Sequence, residues 1–254
     1  MSWLLLRGLG REQRHWYEFP ERLRELVAPE PVFLLDLAGM GTERERIPPP
    51  SVAWLARDVA RRAALLPSSA GRRKHPDAWS LIGLSLGGMV ALELCWLWGQ
   101  RVARAIVINS SSNITSPVAR LQPSALRGLG RALIARDPLA RESHVLELTS
   151  ELPMRTRRAH AERAAAWGDQ ASPTRTAFFS QLCAAARFAP PSAGSLSAEL
   201  CFLGSRRDRL VNPACSRDLA RRYTSPFLEH PWAGHDLALD DPAWICRCVA
   251  RFSI

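Results

Sequence analysis

The sequence predicts one α/β domain: a mostly parallel sheet with helices on both faces, interrupted by a helical insertion. Three observations carry this. Short β-rich apolar runs alternate with amphipathic stretches through the first part of the chain, the pattern of a parallel sheet covered on both sides. From about residue 114 to 195 no convincing strand is found, only Ala-, Leu- and Arg-rich helical stretches punctuated by prolines. Strand and helix alternation then resumes to the C-terminus. A length of 254 residues is long for two independent cores and ordinary for one domain with an insertion. The expected organisation is a core of residues 1–113 and 196–254 with an inserted helical cap at 114–195.

Trp3 to Leu6 reads as the first strand, Trp16 to Val27 as a helix, and Val32 to Leu35 as the next strand, entered after Pro29 and Pro31. Ala53, Leu55, Val59, Ala63 and Leu66 recur at helical spacing within a second helix, Val52 to Leu66. A polar loop with Gly71 and His75 leads to a strand at Trp79 to Ile82. Gly88 to Trp98 is apolar on nearly every side, so this helix should lie in the middle of the molecule. Arg104 to Ile108 is a further strand, followed by a polar turn from Asn109 to Asn113. After the insertion come a strand at Glu199 to Leu203, a helix at Pro213 to Arg222, a short strand at Phe227 to His230 and a closing helix at Ala243 to Phe252. No internal repeat is visible, which argues against a solenoid.

Composition narrows the function class. Lys and Arg number 34 against 24 Asp and Glu, a net charge of +10 carried mostly by arginine. Such a surface attracts anions, and two readings stay open: compositional bias, or an acidic partner such as an acyl carrier protein or anionic lipid. The basic residues are scattered without interleaved aromatics, so nucleic acid is not an expected partner. The start, MSWLLLRGLG, lacks the form of a signal peptide, and no apolar run is long enough for a membrane span. A cytoplasmic location is expected. The six cysteines lack zinc-site spacing and read as buried free thiols, and no metal or organic cofactor is implied.

The chemistry is concentrated between the third strand and the apolar helix, where Gly83-Leu84-Ser85-Leu86-Gly87-Gly88 matches the GxSxG nucleophile elbow. The glycines have a steric reason, because a side chain at Gly83 or Gly87 would collide with its neighbours in so tight a turn. Ser85 is thereby the candidate nucleophile. The backbone N–H of Leu86, at the helix N-terminus, points to a developing oxyanion. A serine needs a base, and His15, His75, His144, His160, His230 and His235 are available. His235, in Trp232-Ala233-Gly234-His235-Asp236, lies in a loop between the last strand and the closing helix, where it can reach over the sheet edge. His230 reads as a surface or packing residue, and His15 as an exposed helix-start residue or a pocket lining. The orienting acid should leave the strand after the insertion, which selects Asp208. Asp236, Asp240 and Asp241 are expected to cap or surround the closing helix, and Asp36 is a weak rival for the acid.

The order Ser85, Asp208, His235 resembles the α/β-hydrolase superfamily, and within it the small carboxylesterases of the pimeloyl-carrier-protein methyl ester esterase type. Leu4-Leu5-Leu6-Arg7-Gly8-Leu9-Gly10 resembles that family's first-loop "HG" motif, and the resemblance implies that the Leu9 amide supplies the second oxyanion N–H. Asp36-Leu37-Ala38-Gly39-Met40-Gly41 resembles its "D-x-P-G-x-G" loop, with Ala38 where proline is usual. Two departures stand out: Arg7 replaces the usual histidine, altering the hydrogen bonding that shapes the oxyanion loop, and the chain begins at what would be the family's third strand. The shorter sheet edge favours edge pairing or dimerisation.

The expected reaction is attack of Ser85 on an ester or thioester carbonyl of a small molecule, an oxyanion held by the Leu9 and Leu86 amides, and a hydrolysed acyl-enzyme. Activity should fall as the base protonates below roughly pH 6 to 7. Leu146, Leu148, Met154, Trp167, Phe178 and Phe179 could line an acyl pocket or pack the cap, and Arg155, Arg157 and Arg158 could grip an anion or form a solvated face. A perhydrolase or carbon–carbon bond hydrolase would share the triad. Dehalogenases and soluble epoxide hydrolases carry Asp at the nucleophile position and are disfavoured by Ser85. A non-catalytic binding protein on the same fold is the alternative outside enzymes.

Overall fold

The computed structural model describes residues 1–66, 78–168 and 173–253. Gly71 and His75 lie outside them. Among the described residues six strands form one parallel sheet: β1 (Ser2–Leu6), β2 (Val32–Leu34), β3 (Trp79–Leu84), β4 (Val102–Ile108), β5 (Glu199–Ser205) and β6 (Phe227–His230), in the order β2-β1-β3-β4-β5-β6. Each strand found from the sequence is present, with β3, β4 and β5 longer than the apolar runs that marked them.

Alternation along the strands divides the core between two faces. Leu4, Leu6, Leu81, Ala105 and Val107 pack on one face with α2 (Val52–Ala63) and α3 (Leu86–Trp98). Trp3, Leu5, Ile82, Leu84, Ile106 and Ile108 pack on the other with α1 (Phe19–Val27) and the closing α11 (Pro242–Ser253). Burial on both faces explains why the strands read as continuous apolar runs. α3 is central as expected, buried from Leu86 through Leu92 and again at Leu94 and Cys95, but Trp96 and Leu97 in its last turn are exposed.

Some boundaries differ from the sequence reading. The first helix begins at Phe19, because a separate 3-10 turn occupies Gln13–Trp16 and Tyr17 has φ +50°, which no continuous helix accommodates. Pro20 falls in the first helical turn, where its missing N–H costs nothing. α2 ends at Ala63, three residues early. Four cysteines (Cys95, Cys201, Cys215, Cys248) are buried free thiols, whereas Cys183 is exposed because it falls on the outer side of its helix, and Cys246 is half-buried.

Between β4 and β5 the chain forms α4 (Pro117–Arg120), α5 (Ala125–Ile134), α6 (Pro138–Thr149), α7 (Met154–Ala165) and α8 (Arg175–Arg187). After β5 come α9 (Ala214–Arg222) and, between β6 and α11, a short α10 (Leu237–Asp240). α10, a single turn, has no counterpart in the apolar periodicity, which marks the helices of the insertion only as one helical stretch. No helix among the described residues is long and apolar enough to cross a membrane.

Candidate active site

All strands run the same way, so the residues leaving their carboxyl ends share one sheet edge. β1 lies between β2 and β3, and the chain turns from one side of β1 to the other. Such a switch point opens a crevice between diverging connections. Leu9 leaves β1 and Ser85 leaves β3 at that crevice. Asn109, Asp208 and His235 follow β4, β5 and β6 along the same edge.

Ser85 has φ +57° and ψ −117°, a conformation costly for any residue with a side chain. Several bonds hold it there. Its N–H donates to the Ile108 carbonyl at 2.7 Å, and its carbonyl accepts from the Ser110 hydroxyl at 2.7 Å and from the Gly88 and Met89 amides. Gly87 admits the close approach of the chain, since a Cβ there would strike the backbone carbonyl of Leu6. Gly8 passes so near that a Cβ on it would stand 3.0 Å from Ser85 Cβ. This places the first loop, with the Leu9 amide, beside the serine. Leu86 begins α3, so its N–H lacks an intrahelical acceptor.

Asp208 and His235 are brought together: His235 Nδ1 and Asp208 Oδ2 are 2.6 Å apart, with both residues buried. The other carboxylate oxygen accepts the Leu210 and Val211 amides, each at 2.8 Å, which fixes the carboxylate plane. A carboxylate only accepts, so this bond pairs with the neutral imidazole tautomer that carries its hydrogen on Nδ1 and presents Nε2 as an acceptor. No Ser85–His235 hydrogen bond is formed among the described residues; catalytic hydrogen bonds are commonly long before substrate arrives.

The other candidates fall elsewhere. His230 is buried and structural, its Nδ1 accepting the Ala233 amide at 2.9 Å and its ring set edge-on to Trp232 and Trp244. Asp36 accepts the Gln13 and Thr42 amides and thus ties two loops, leaving no role as orienting acid. His15 corrects an expectation: it is fully buried, because its Nδ1 accepts the Glu12 amide in a reciprocal cap and its ring stands edge-on to Trp167. Burial, with Arg11 and Arg7 nearby, holds its pKa well below the usual imidazole range. Asp241 caps α11 through the Trp244 amide at 2.8 Å, as expected. Asp236 does not cap: it forms a two-pronged ion pair with Arg7, at 3.0 and 2.7 Å. Burial alone would raise the Asp236 pKa, but the charge and hydrogen bonds of Arg7, with Arg11 and His235, hold it below the ordinary carboxylate value.

Asn109 and Glu142 escaped the sequence reading, and Asp240 holds the end of α6 and the Gly234 amide rather than capping the closing helix. Asn109, at φ +49°, donates through Nδ2 to the His235 carbonyl at 2.8 Å and to Ser205 Oγ at 3.0 Å, fastening the His235 loop to the end of β4. Asp240 accepts from Ser150 Oγ at 2.5 Å, the Gly234 amide at 2.7 Å and the Glu151 amide at 3.0 Å. Glu142 of α6 pairs with Arg11 of the first loop at 2.5 Å. Only Asn109 left a local sign, an Asn directly after a strand, where a left-handed residue is favoured.

Of the six apolar residues considered for an acyl pocket, Leu146 and Leu148 are buried, Met154 and Phe179 are exposed, and Trp167 packs against Leu146 and Tyr17. Phe178 overlies the first loop, its ring 3.5 Å from where a Cβ of Gly10 would stand. Arg157 bonds the Ser150 carbonyl and Arg158 pairs with Glu162. A surface groove of about 450 Å³ lined by Tyr17, Glu18, Glu21, Arg22, Glu25 and Arg163 contains none of the site residues. Among the described residues no cluster of His, Cys, Asp and Glu is arranged to hold a metal ion.

A strained serine between strand and helix, with an acid-linked histidine on the same sheet edge, is an arrangement shared by many hydrolytic folds. Here the family is shown: the model of the alpha/beta hydrolase family matches residues 3–247, and the chain belongs to that family. Similar solved structures include an esterase from Rhodococcus sp. ECU1013 (19% identity, 99% of this chain and 90% of that one, TM-score 0.73). Others are an enol-lactonase from Burkholderia xenovorans LB400 (20%, 99% and 91%, TM-score 0.70) and a hydrolase from Pseudomonas aeruginosa PA01 (19%, 99% and 89%, TM-score 0.74). At these identities the likeness is one of fold. No curated protein matches the sequence significantly.

Proposed function

We propose that the protein is a serine hydrolase that cleaves a carboxylic ester or thioester of a small molecule. The observation that carries this reading is the placement of Ser85, at φ +57°, on the same sheet edge as a His235–Asp208 pair bonded at 2.6 Å. Ser85 Oγ attacks the acyl carbonyl while His235 Nε2 takes its proton. The oxyanion is stabilised by the Leu9 and Leu86 amides, and His235 returns the proton to the departing alkoxide or thiolate. Water then gives a proton to His235 as its oxygen adds to the acyl carbon, and His235 returns that proton to Ser85 Oγ as the acyl–Oγ bond breaks, releasing the acid. Residues 114–195 serve as the cap that selects the acyl group, with Phe178 lying over the first loop. The finer likeness to carrier-protein methyl ester esterases rests on the first-loop and Asp36 motifs alone.

The test is reaction with a fluorophosphonate probe and with p-nitrophenyl esters of increasing chain length, beside Ser85→Ala. Labelling of Ser85 and loss of turnover in the variant are expected. Turnover of peracid-forming or diketone substrates in preference to esters would move the reading to a perhydrolase or carbon–carbon bond hydrolase. A folded wild type that neither labels nor turns over would leave a binding protein on this fold.

A further inference from the structure

The helix α5 leaves most of its large apolar residues outside. Its fully buried residues are small, Ala125 and Ala132, with Gly128 facing the Leu148 side chain of α6 and Leu129 half-buried beside them. Its other large apolar residues are exposed: Leu126 at 55%, Leu133 at 36% and Ile134 at 75%. Spacing of seven and eight residues puts Leu133 and Ile134 on the same side of the helix as Leu126. Val118 of α4 and Ile114 before it are also exposed. Water contact with so many large side chains on one short stretch is unfavourable, which marks a surface with an occupant.

Charge says which occupant. Residues 114–136 contain Arg120, Arg127, Arg131 and Arg136 and not one acidic residue. Arg120 is engaged with the carbonyls of Ala185 and Ala186, and Arg131 lies 3.6 Å from Glu147. Arg127 and Arg136 are exposed at either end of the apolar stripe. Large aliphatic side chains flanked by arginines are the pattern of a helix lying in the plane of an anionic bilayer surface, with its apolar side among the acyl chains and its guanidinium groups at the headgroups. We infer that the α4–α5 face docks reversibly on an anionic lipid surface. The same stretch is tied to the candidate site, since Gln122, between α4 and α5, donates to the Asp208 carbonyl at 2.7 Å. A docked molecule would therefore hold the Asp208 loop close to the lipid.

The inference stands on binding and is independent of catalysis. Full-length protein is to be sedimented with vesicles of phosphatidylcholine alone and of equal parts phosphatidylcholine and phosphatidylglycerol. Binding to the mixed vesicles, weakened by salt, is expected. Leu126→Ser/Leu133→Ser/Ile134→Ser should weaken it by roughly 100-fold, and Arg127→Gln/Arg136→Gln by about 30-fold at low salt. All five side chains are exposed, so both variants should keep the wild-type melting profile, and Leu65→Ser, at an exposed position in the turn after α2, should bind as wild type. Absence of wild-type binding to the mixed vesicles overturns the inference. So does undiminished binding by the triple serine variant, which would leave only charge and point to a soluble acidic partner. A wild-type dimer in light scattering that the triple variant converts to monomer, without lipid binding, would assign the face to a second copy of the chain.

Discussion

Replacing Arg7 by Met should be among the most damaging single changes outside the chemistry itself. Arg7 and Asp236 are each 4% exposed and joined by two hydrogen bonds, with the guanidinium also 4.9 Å from the Trp16 ring centre. Removing one partner of such a pair leaves an uncompensated buried charge and costs about 3–5 kcal/mol, whereas replacing both with apolar groups is often close to neutral. For a chain of this size the single change should lower Tm by about 10 °C. Urea denaturation of the wild type, Arg7→Met, Asp236→Leu and the double variant should then return a coupling energy of about 3 kcal/mol.

The pH dependence has a definite sign. Asp236 is held below its unfolded value, so the contribution of the pair is fully present above the unfolded pKa of about 3.9 and fades as pH falls through the lower folded value. In Arg7→Met burial acts on Asp236 against only Arg11 and His235, so its carboxyl protonates at higher pH than in the wild type, and the stability gap to wild type should narrow as acid is added. Additive single changes, or an Arg7→Met cost below about 1 kcal/mol, would refute the reasoning, because exposed pairs behave that way.

Other consequences are equally checkable. Asp208→Asn leaves the fold intact but lets the amide donate to Nδ1, favouring the wrong imidazole tautomer; if the proposed triad operates, kcat should drop by about 10⁴. Asn109→Ala strips the donor from the His235 carbonyl and Ser205 Oγ at a left-handed position, which should cost about 2 kcal/mol in denaturant titrations and lower kcat with little change in KM. Gly87→Ala places a methyl group against the Leu6 carbonyl, part of the central sheet, so more than about 4 kcal/mol of stability should be lost and soluble expression with it.

Local grammar made some of this legible and could not reach the rest. The elbow is readable because a strand, two obligatory glycines, a serine and an apolar helix occupy one continuous segment. Asp208 and His235 are readable because a parallel sheet sends each strand's following loop to the same edge. Nothing local joins Arg7 to Asp236, 229 residues apart, which meet where the segments after β1 and β6 leave the sheet, or Arg11 to Glu142, 131 apart, whose meeting depends on how the helical segment folds back over the first loop. His15 looks like a polar helix start for the same reason: its burial is imposed by Trp167, far along the chain. The first helix starts three residues later than apolar spacing suggests, because that spacing continues through Trp16 while the backbone turns at Tyr17.

The end of α6 deserves a genealogical reading. Thr149 O accepts the Asp236 amide, Ser150 and Glu151 bond Asp240, and the Ser150 carbonyl accepts Arg209 from the Asp208 loop. Gly234 is needed where it is because a Cβ there would stand 2.7 Å from the Thr149 carbonyl. Three consecutive residues of the helical segment are thus keyed to both the Asp208 loop and the His235 loop. Helices grafted from a relative without this strip would arrive with a different lock, so the segment and the two loops should travel through descent as one heritable module rather than as interchangeable parts.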